Sequence, residues 1–244
     1  NIKIDAILSS GYIEEFIEDA PYSIMSTVGH SEKPDVIAGK ILEGRVAIIC
    51  DGTPFVLTVP YLFIETIHAN EDYYVSTFFA TMTRLIRVIS LIITITLPGI
   101  YIALISFHHD VIPLKLLLTI ASSREGIPFS AFTETLLMGV TFELLREAGV
   151  RMPRPIGQAV SIVGGLVLGQ AAVEAGVASN PVIMITAITA ITSFVIPKLR
   201  EVIPILRIMV LVAANILGIL GVSIILIMLF IHLCTIRSFG VPFL

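Results

Sequence analysis

The sequence predicts a mostly α, polytopic membrane protein of four to five transmembrane helices plus interfacial helices, with a small N-terminal α/β soluble module. Three observations carry that prediction. Hydrophobic residues make up 56% and charged residues 14% of the 244, with a mean hydropathy of +0.97, against about a quarter charged in ordinary soluble domains. The second is Glu147 to Val177, EAGVRMPRPIGQAVSIVGGLVLGQAAVEAGV, in which a basic, proline-punctuated entry leads into an apolar run of about 20 residues, enough to cross a bilayer. The third is RVAIICDGTPFVLTVP, two apolar, β-branched runs around Asp51-Gly52, the pattern of a hairpin in water.

The formal net charge of -4 and the lack of a Lys/Arg-rich run set nucleic acid aside as a partner. Cys50 and Cys234 fall in a soluble strand and at the end of a membrane helix, so they read as two buried thiols rather than a disulfide. The chain begins Asn1-Ile2-Lys3 without a charged-then-apolar leader and reads as a piece of a longer one.

Residues 1–80 read as the C-terminal part of a cytoplasmic α/β domain. Tyr12 to Asp19 has the acid-rich character of an exposed short helix stopped by Pro21. Ser31 to Gly44 predicts a second helix: Ser31 can cap, Pro34 sits near the first turn, Ile37 and Ile41 recur at helical spacing, and Gly44 follows as a stop. Val46 to Cys50 and Phe55 to Val59 then form the hairpin, which is marginal alone and must pack on the helix or extend a sheet begun upstream.

Residues 81–244 read as the membrane domain, with spans at about 85–107, 155–178, 181–197 and 205–234 and a marginal or interfacial helical pair within 112–148. Tyr73, Tyr74, Phe78 and Phe79 precede it as a membrane-interface belt or as packing under the soluble module. Arg84 and Arg87 place the start of the first span on the cytoplasmic side, and Pro98 predicts a kink, with Thr94 or Thr96 compensating the freed carbonyl. His108-His109-Asp110 has no metal-ligand spacing and reads as a polar loop. Ala131 to Ala148 carries Glu143 and Glu147 on one face and Glu134 opposite, so it is either interfacial or a span buried among other helices.

Within Glu147 to Val177, Gly164, Gly165 and Gly169 invite close helix packing, while Gln158, Gln170 and Glu174 need protein or water around them. In Pro181 to Pro197, Thr186, Thr189 and Ser193 form one hydroxylated stripe, which either lines a hydrated path or bonds to its own helix and packs. In the last span Asn215 is a buried polar candidate, and Gly218 and Gly221 sit at small-residue spacings for helix packing. Arg151/Arg154 and Lys198/Arg200 put the Ala178-Ser179-Asn180 turn outside by the positive-inside rule. Five spans follow if Ala131 to Ala148 crosses, and four if it lies at the interface.

The segments GHSEKPDVIAGKILEGRVAIICDGTPFVLTVP, EDYY, REGIPF, FELLREAGVRMPRPIGQAVSIVGGLVLGQAAVEAGVAS and RSFGVPF, in that order along the chain, resemble the A subunit of the GerA spore germination receptor family. A SpoVAF-type branch shares these motifs. The resemblance implies a multi-pass protein of the spore inner membrane, working with a transporter-like B subunit and a lipoprotein C subunit. It also implies a homo-oligomer that forms a germinant-gated channel for monovalent cations, without enzymatic activity, cofactor or metal. On that reading the conduction path is faced either by Gln158, Ser161, Gly165 and Gly169 or by the Thr186/Thr189/Ser193 stripe, and Gln170 and Glu174 serve interhelical bonding or gating. The competing readings are a non-conducting scaffold and a secondary transporter; the latter lacks an internal repeat.

Overall fold

The computed structural model describes Ile7 and residues 9–244, apart from the side chains of residues 154–156 and 158–162. The protein is mostly helical and divides into two compact units: the chain up to Leu85 with Met228–Leu244, and Ile86–Ile227.

In the first unit, α1 (Ser10–Ile17), β1 (Gly29–Ser31), α2 (Pro34–Leu42), β2 (Val46–Ile48), β3 (Val56–Val59) and α3 (Ile64–Ile67) follow one another. The strands form an antiparallel sheet ordered β1-β3-β2, with His30 opposite Leu57 and Ala47 opposite Thr58. The hairpin the sequence predicts is thus β2-β3, closed by a longer loop than a two-residue turn, in which Gly52 supplies φ 84°. Being central, β3 is the most buried strand: Leu57 and Val59 join Val28 in a core that Ile13, Ile17 and Ile48 cover. Pro34 starts α2 at its first turn, as expected, but Ser31 does not cap it. Lys33 takes the N-cap position, and the Ser31 hydroxyl accepts from the Lys33 N–H at 3.1 Å one step earlier.

The C-terminal residues belong to this unit too. A two-stranded hairpin, β4 (Arg237–Ser238) with β5 (Val241–Pro242), follows the last helix. Ser238 Oγ donates to Thr27 O at 2.7 Å and accepts from Tyr61 N at 2.9 Å. Phe243 is 1% exposed and packs against the rings of Tyr61 and Phe63, and its carbonyl accepts from Phe63 N at 2.7 Å. Beside Tyr61 the Glu65 carboxylate holds Lys40 at 3.0 Å and also pairs with Arg45. Tyr73, Tyr74, Phe78 and Phe79 are exposed on this unit. Cys50 is half-buried and Cys234 exposed, both as free thiols, so the expectation of two buried thiols is corrected: Cys234 sits on an outward face of the last helix.

The helical elements are α4 (Thr77–Phe107), α5 (Leu114–Ser123), α6 (Ala131–Arg151), α7 (Arg154–Glu174), α8 (Asn180–Phe194), α9 (Val202–Leu217) and α10 (Ile219–Thr235). Among the described residues α4 alone is long and apolar enough by itself to cross a membrane; its 31 residues span about 46 Å. Pro98 lies inside α4 without ending it, and Thr94 and Thr96 donate to the Ser90 and Ile92 carbonyls one turn back. The core of the second unit brings together Tyr101, Ile102 and Ile105 of α4, Met138 of α6, Val182 and Ile185 of α8, and Leu211 of α9.

The region 205–234, which the sequence reads as one span, is two helices. Gly218 breaks it with φ 63° and ψ −139°, a backbone conformation open to glycine alone. The bend brings Gly221 against the end of α9, where a Cβ would stand 2.1 Å from the Ala213 carbonyl oxygen. Both glycines therefore serve a sharp turn within the segment.

Candidate functional site in the helical unit

A groove of about 770 Å³ lies among α6, α7 and α8. The residues that build it are small where the helices meet: a Cβ on Gly157 would fall 2.1 Å from the Gly149 carbonyl oxygen, so α7 starts in backbone contact with α6. Farther along α7, Gly165 faces open space and Gly169 lies at ordinary contact distance from Ile183, so here the missing side chains leave room. Phe142, Leu145, Ile191 and Phe194 supply apolar walls and Thr186 a polar point.

Three of the residues expected along a conduction path, Gly165, Gly169 and Thr186, thus line one groove. Gln158 and Ser161 lie outside the residues whose side chains are described. The Thr186/Thr189/Ser193 stripe is buried inside the unit, and each hydroxyl donates to its own helix: to Val182 O at 2.8 Å, Thr186 O at 2.9 Å and Ala190 O at 2.7 Å. Thr192, next to the stripe, meets Thr94 of α4 hydroxyl to hydroxyl at 2.7 Å. Gly164 approaches Leu145, where a Cβ would meet only the flexible end of that side chain, at 3.1 Å.

Gln170, Glu174 and Asn215, expected to be buried, are exposed on the chain. The helical positions explain the outcome for α7: Gly169 turns toward α8, so Gln170, about 100° further round, and Glu174 one turn beyond face outward. Val163, Leu166 and Val167 are exposed with them.

Two charged constellations escaped the sequence reading. Glu134, in the first turn of α6, has a fully enclosed side chain. Its Oε1 accepts from Arg124 Nε at 3.2 Å and Nη2 at 3.1 Å, and its Oε2 accepts from Ser179 N at 3.0 Å and Oγ at 2.8 Å. The carboxylate therefore closes the N-terminus of α8, where the helix dipole favours it, and ties α6 to the segment after α5. The one signal that could have found it was its isolation on the helix, opposite Glu143 and Glu147. The second constellation is Glu143, which holds Arg146 at 2.5 Å and Arg207 of α9 at 3.3 Å. Glu147, on the same predicted face, instead pairs with Arg151 at 2.8 Å on the surface. Among the described residues no three His, Cys, Asp or Glu side chains gather as a metal site.

A family profile described as Bacillus/Clostridium GerA spore germination protein matches residues 1–244. The chain is 49% identical to spore germination protein KA of Bacillus subtilis, over 100% of this chain and 45% of that protein. It is also 49% identical to the uncharacterized membrane protein YfkQ of the same organism, over 100% of this chain and 48% of that one. Spore germination protein GerLA of Bacillus cereus is 41% identical over 100% of this chain and 50% of its own length. The chain thus spans about half the length of the curated relatives it matches. No solved structure matches it. The chain belongs to the GerA family of spore germination proteins.

Proposed function

We propose that this chain is the membrane-embedded portion of an A-type subunit of a spore germination receptor, and that copies assemble so that the outward face of α7 borders a gated path for monovalent cations. The observation that carries the reading is the exposure of Gln170 and Glu174 among apolar neighbours. Lipid cannot satisfy these groups, so another subunit or water must cover them. Family membership supports the role in germination, with a transporter-like B subunit and a lipoprotein C subunit as partners and the spore inner membrane as the site. The hydroxyl stripe supports the packing role rather than the pore role, because its protons are already given to backbone carbonyls.

The same reading favours six crossings. Segments before α4 and after α10 hydrogen-bond within one unit, which supports placing both ends of the helical region on one side of a membrane with an even number of crossings. Taking α4, α6, α7, α8, α9 and α10 as crossings leaves α5 at the far surface. Arg84, Arg87, Arg151, Arg154, Lys198, Arg200 and Arg237 then share the cytoplasmic side, opposed by Lys115 and Arg124. The 15 to 17 residues of α8, α9 and α10 fall a few residues short of the roughly 20 a crossing needs. Bilayer thinning accommodates such a shortfall at a fraction of a kcal/mol per Å.

The test is flux of potassium or sodium through the full-length oligomer in liposomes, combined with Gln170→Cys and Thr189→Cys and a water-soluble thiol reagent. Block at Gln170→Cys with no block at Thr189→Cys is expected. Absence of flux in any assembly state leaves the non-conducting scaffold as the reading, and block only at Thr189→Cys moves the path to α8.

A further inference from the structure

A second cavity, of about 340 Å³, lies between α6 and α9. Its walls are apolar, from Val140, Ile208 and Leu211, and its charged lining is Glu143, Arg146 and Arg207 with Glu147 at the edge. Arg207 is 6% exposed in the second turn of α9, a membrane-type helix. Its Nη1 reaches Glu143 Oε1 at 3.3 Å, while its Nε and Nη2 are buried without a partner among the described residues. Arg146 gives Nη2 to Glu143 Oε2 at 2.5 Å and to Arg200 O at 3.4 Å, and its Nε is likewise buried and unpartnered. Glu147 is taken by Arg151, through Nε at 2.9 Å and Nη2 at 2.8 Å. Among the described residues one available carboxylate thus faces two guanidinium groups, and three of their nitrogens lack acceptors.

A buried guanidinium left short of acceptors is costly, and within a membrane such a group marks a site by default. We propose that the cavity between α6 and α9 binds a phosphate group beside Arg207 and Arg146, supplied by the head group of an anionic phospholipid. The guanidinium fork matches phosphate oxygens bidentately. The single excess positive charge matches a phosphodiester monoanion, and the apolar walls suit the glycerol and upper acyl carbons that follow it. The lipid source rests on the membrane reading above, whereas the phosphate site does not.

The experiment uses the full-length protein, delipidated in detergent, with phosphatidylglycerol, phosphatidylcholine and inorganic phosphate as separate probes, read by native mass spectrometry and thermal shift. The expected result is one retained phosphatidylglycerol per chain and a raised melting temperature, with phosphatidylcholine giving neither. Arg207→Gln should weaken phosphatidylglycerol about tenfold or more, and the exposed Lys115→Gln should leave it unchanged. Arg207→Lys, which keeps the charge but loses the fork, should weaken it less than Arg207→Gln; it also serves where the glutamine variant fails to fold. Equal stabilisation by inorganic phosphate, lost in Arg207→Gln, supports the phosphate site and overturns the lipid source. Equal binding of phosphatidylglycerol and phosphatidylcholine with no phosphate effect, or binding unchanged in both Arg207 variants, overturns the proposal. Ion flux is not read in this experiment, so its failure and the failure of the channel reading are distinct.

Discussion

Replacing Glu134 by glutamine removes a charge and almost no volume from the point where α6, α8 and the segment after α5 meet. The carboxylate spends both oxygens there, one on Arg124 and one on the Ser179 N–H and hydroxyl. Glutamine keeps one acceptor. If its oxygen stays on Arg124, its NH₂ group points at the Ser179 N–H, two donors facing each other in a place water does not reach. An unsatisfied buried donor costs about 1–3 kcal/mol. Loss of the ionic partner of Arg124 adds to this, but by less than the roughly 3–5 kcal/mol of a fully buried pair, because the Arg124 side chain is 23% exposed and solvent takes up part of the charge. Together the two effects come to about 2–4 kcal/mol. For a full-length protein of about twice this size, as in the curated relatives, that corresponds to a fall in melting temperature of roughly 2–4 °C.

The assay is thermal unfolding of the detergent-solubilised full-length protein by circular dichroism, with Glu134→Gln, Arg124→Gln and the double variant forming a cycle. If the pair is coupled as drawn, the double variant costs at least about 1 kcal/mol less than the sum of the singles. A Glu134→Gln protein melting within about 1 °C of the parent, or single costs that simply add, refutes the clasp.

Gly157→Val places a side chain into the Gly149 carbonyl and should abolish recovery of folded protein from detergent extracts, whereas Gly164→Ala, meeting only the tip of Leu145, should be recovered at near-normal yield. Gly218→Ala forces a Cβ onto a φ of 63° and toward Phe107 and His108, and should cost about 1–3 kcal/mol by thermal unfolding; a neutral result argues for a straight segment there. Phe243→Ala empties a nearly fully buried site and should cost about 3–5 kcal/mol, seen as faster proteolysis within residues 55–75. Desolvation of the Tyr61 phenol, reinforced by the Glu65 carboxylate, raises its pKa above the ordinary value of 10.0. Since the folded state then holds the proton more tightly, stability is full below pH 10 and declines as pH rises above it. Tyr61→Phe should remove that alkaline decline, and an unchanged profile counts against it.

What was legible in the sequence was local. Pro34 and Gly44 bracket α2, and Asp51-Gly52 marks the β2-β3 connection, because backbone constraints at proline and glycine act over a few residues. The end of the chain was not legible in this way: Ser238 and Phe243 complete a core whose other members lie nearly 180 residues earlier, and no periodicity carries that information. The Gly218 break was hidden for a related reason. Glycine within an apolar run reads equally as a helix contact or a turn, and only its φ decides. Pairings such as Arg207 with Glu143 are set by which helices become neighbours, so the charges were visible and their partners were not.

Gln170 and Glu174 show the limit most clearly. Their spacing of four puts them on one face of α7 in any helical reading, but the sequence is silent on what covers that face. Among the described residues of one chain, nothing buries it. Two coverings remain for an exposed carboxylate on a membrane helix, a neighbouring copy or water, and Glu174→Gln separates them. If Glu174 bonds to a second subunit, the neutral variant should shift the oligomer toward monomer in native mass measurements at unchanged unit conductance. If it faces a hydrated path, assembly should persist while cation conductance falls, because a fixed negative charge near a pore raises the local cation concentration. A variant unchanged in both respects would place the face against lipid, and the α7-lined path would have to be abandoned.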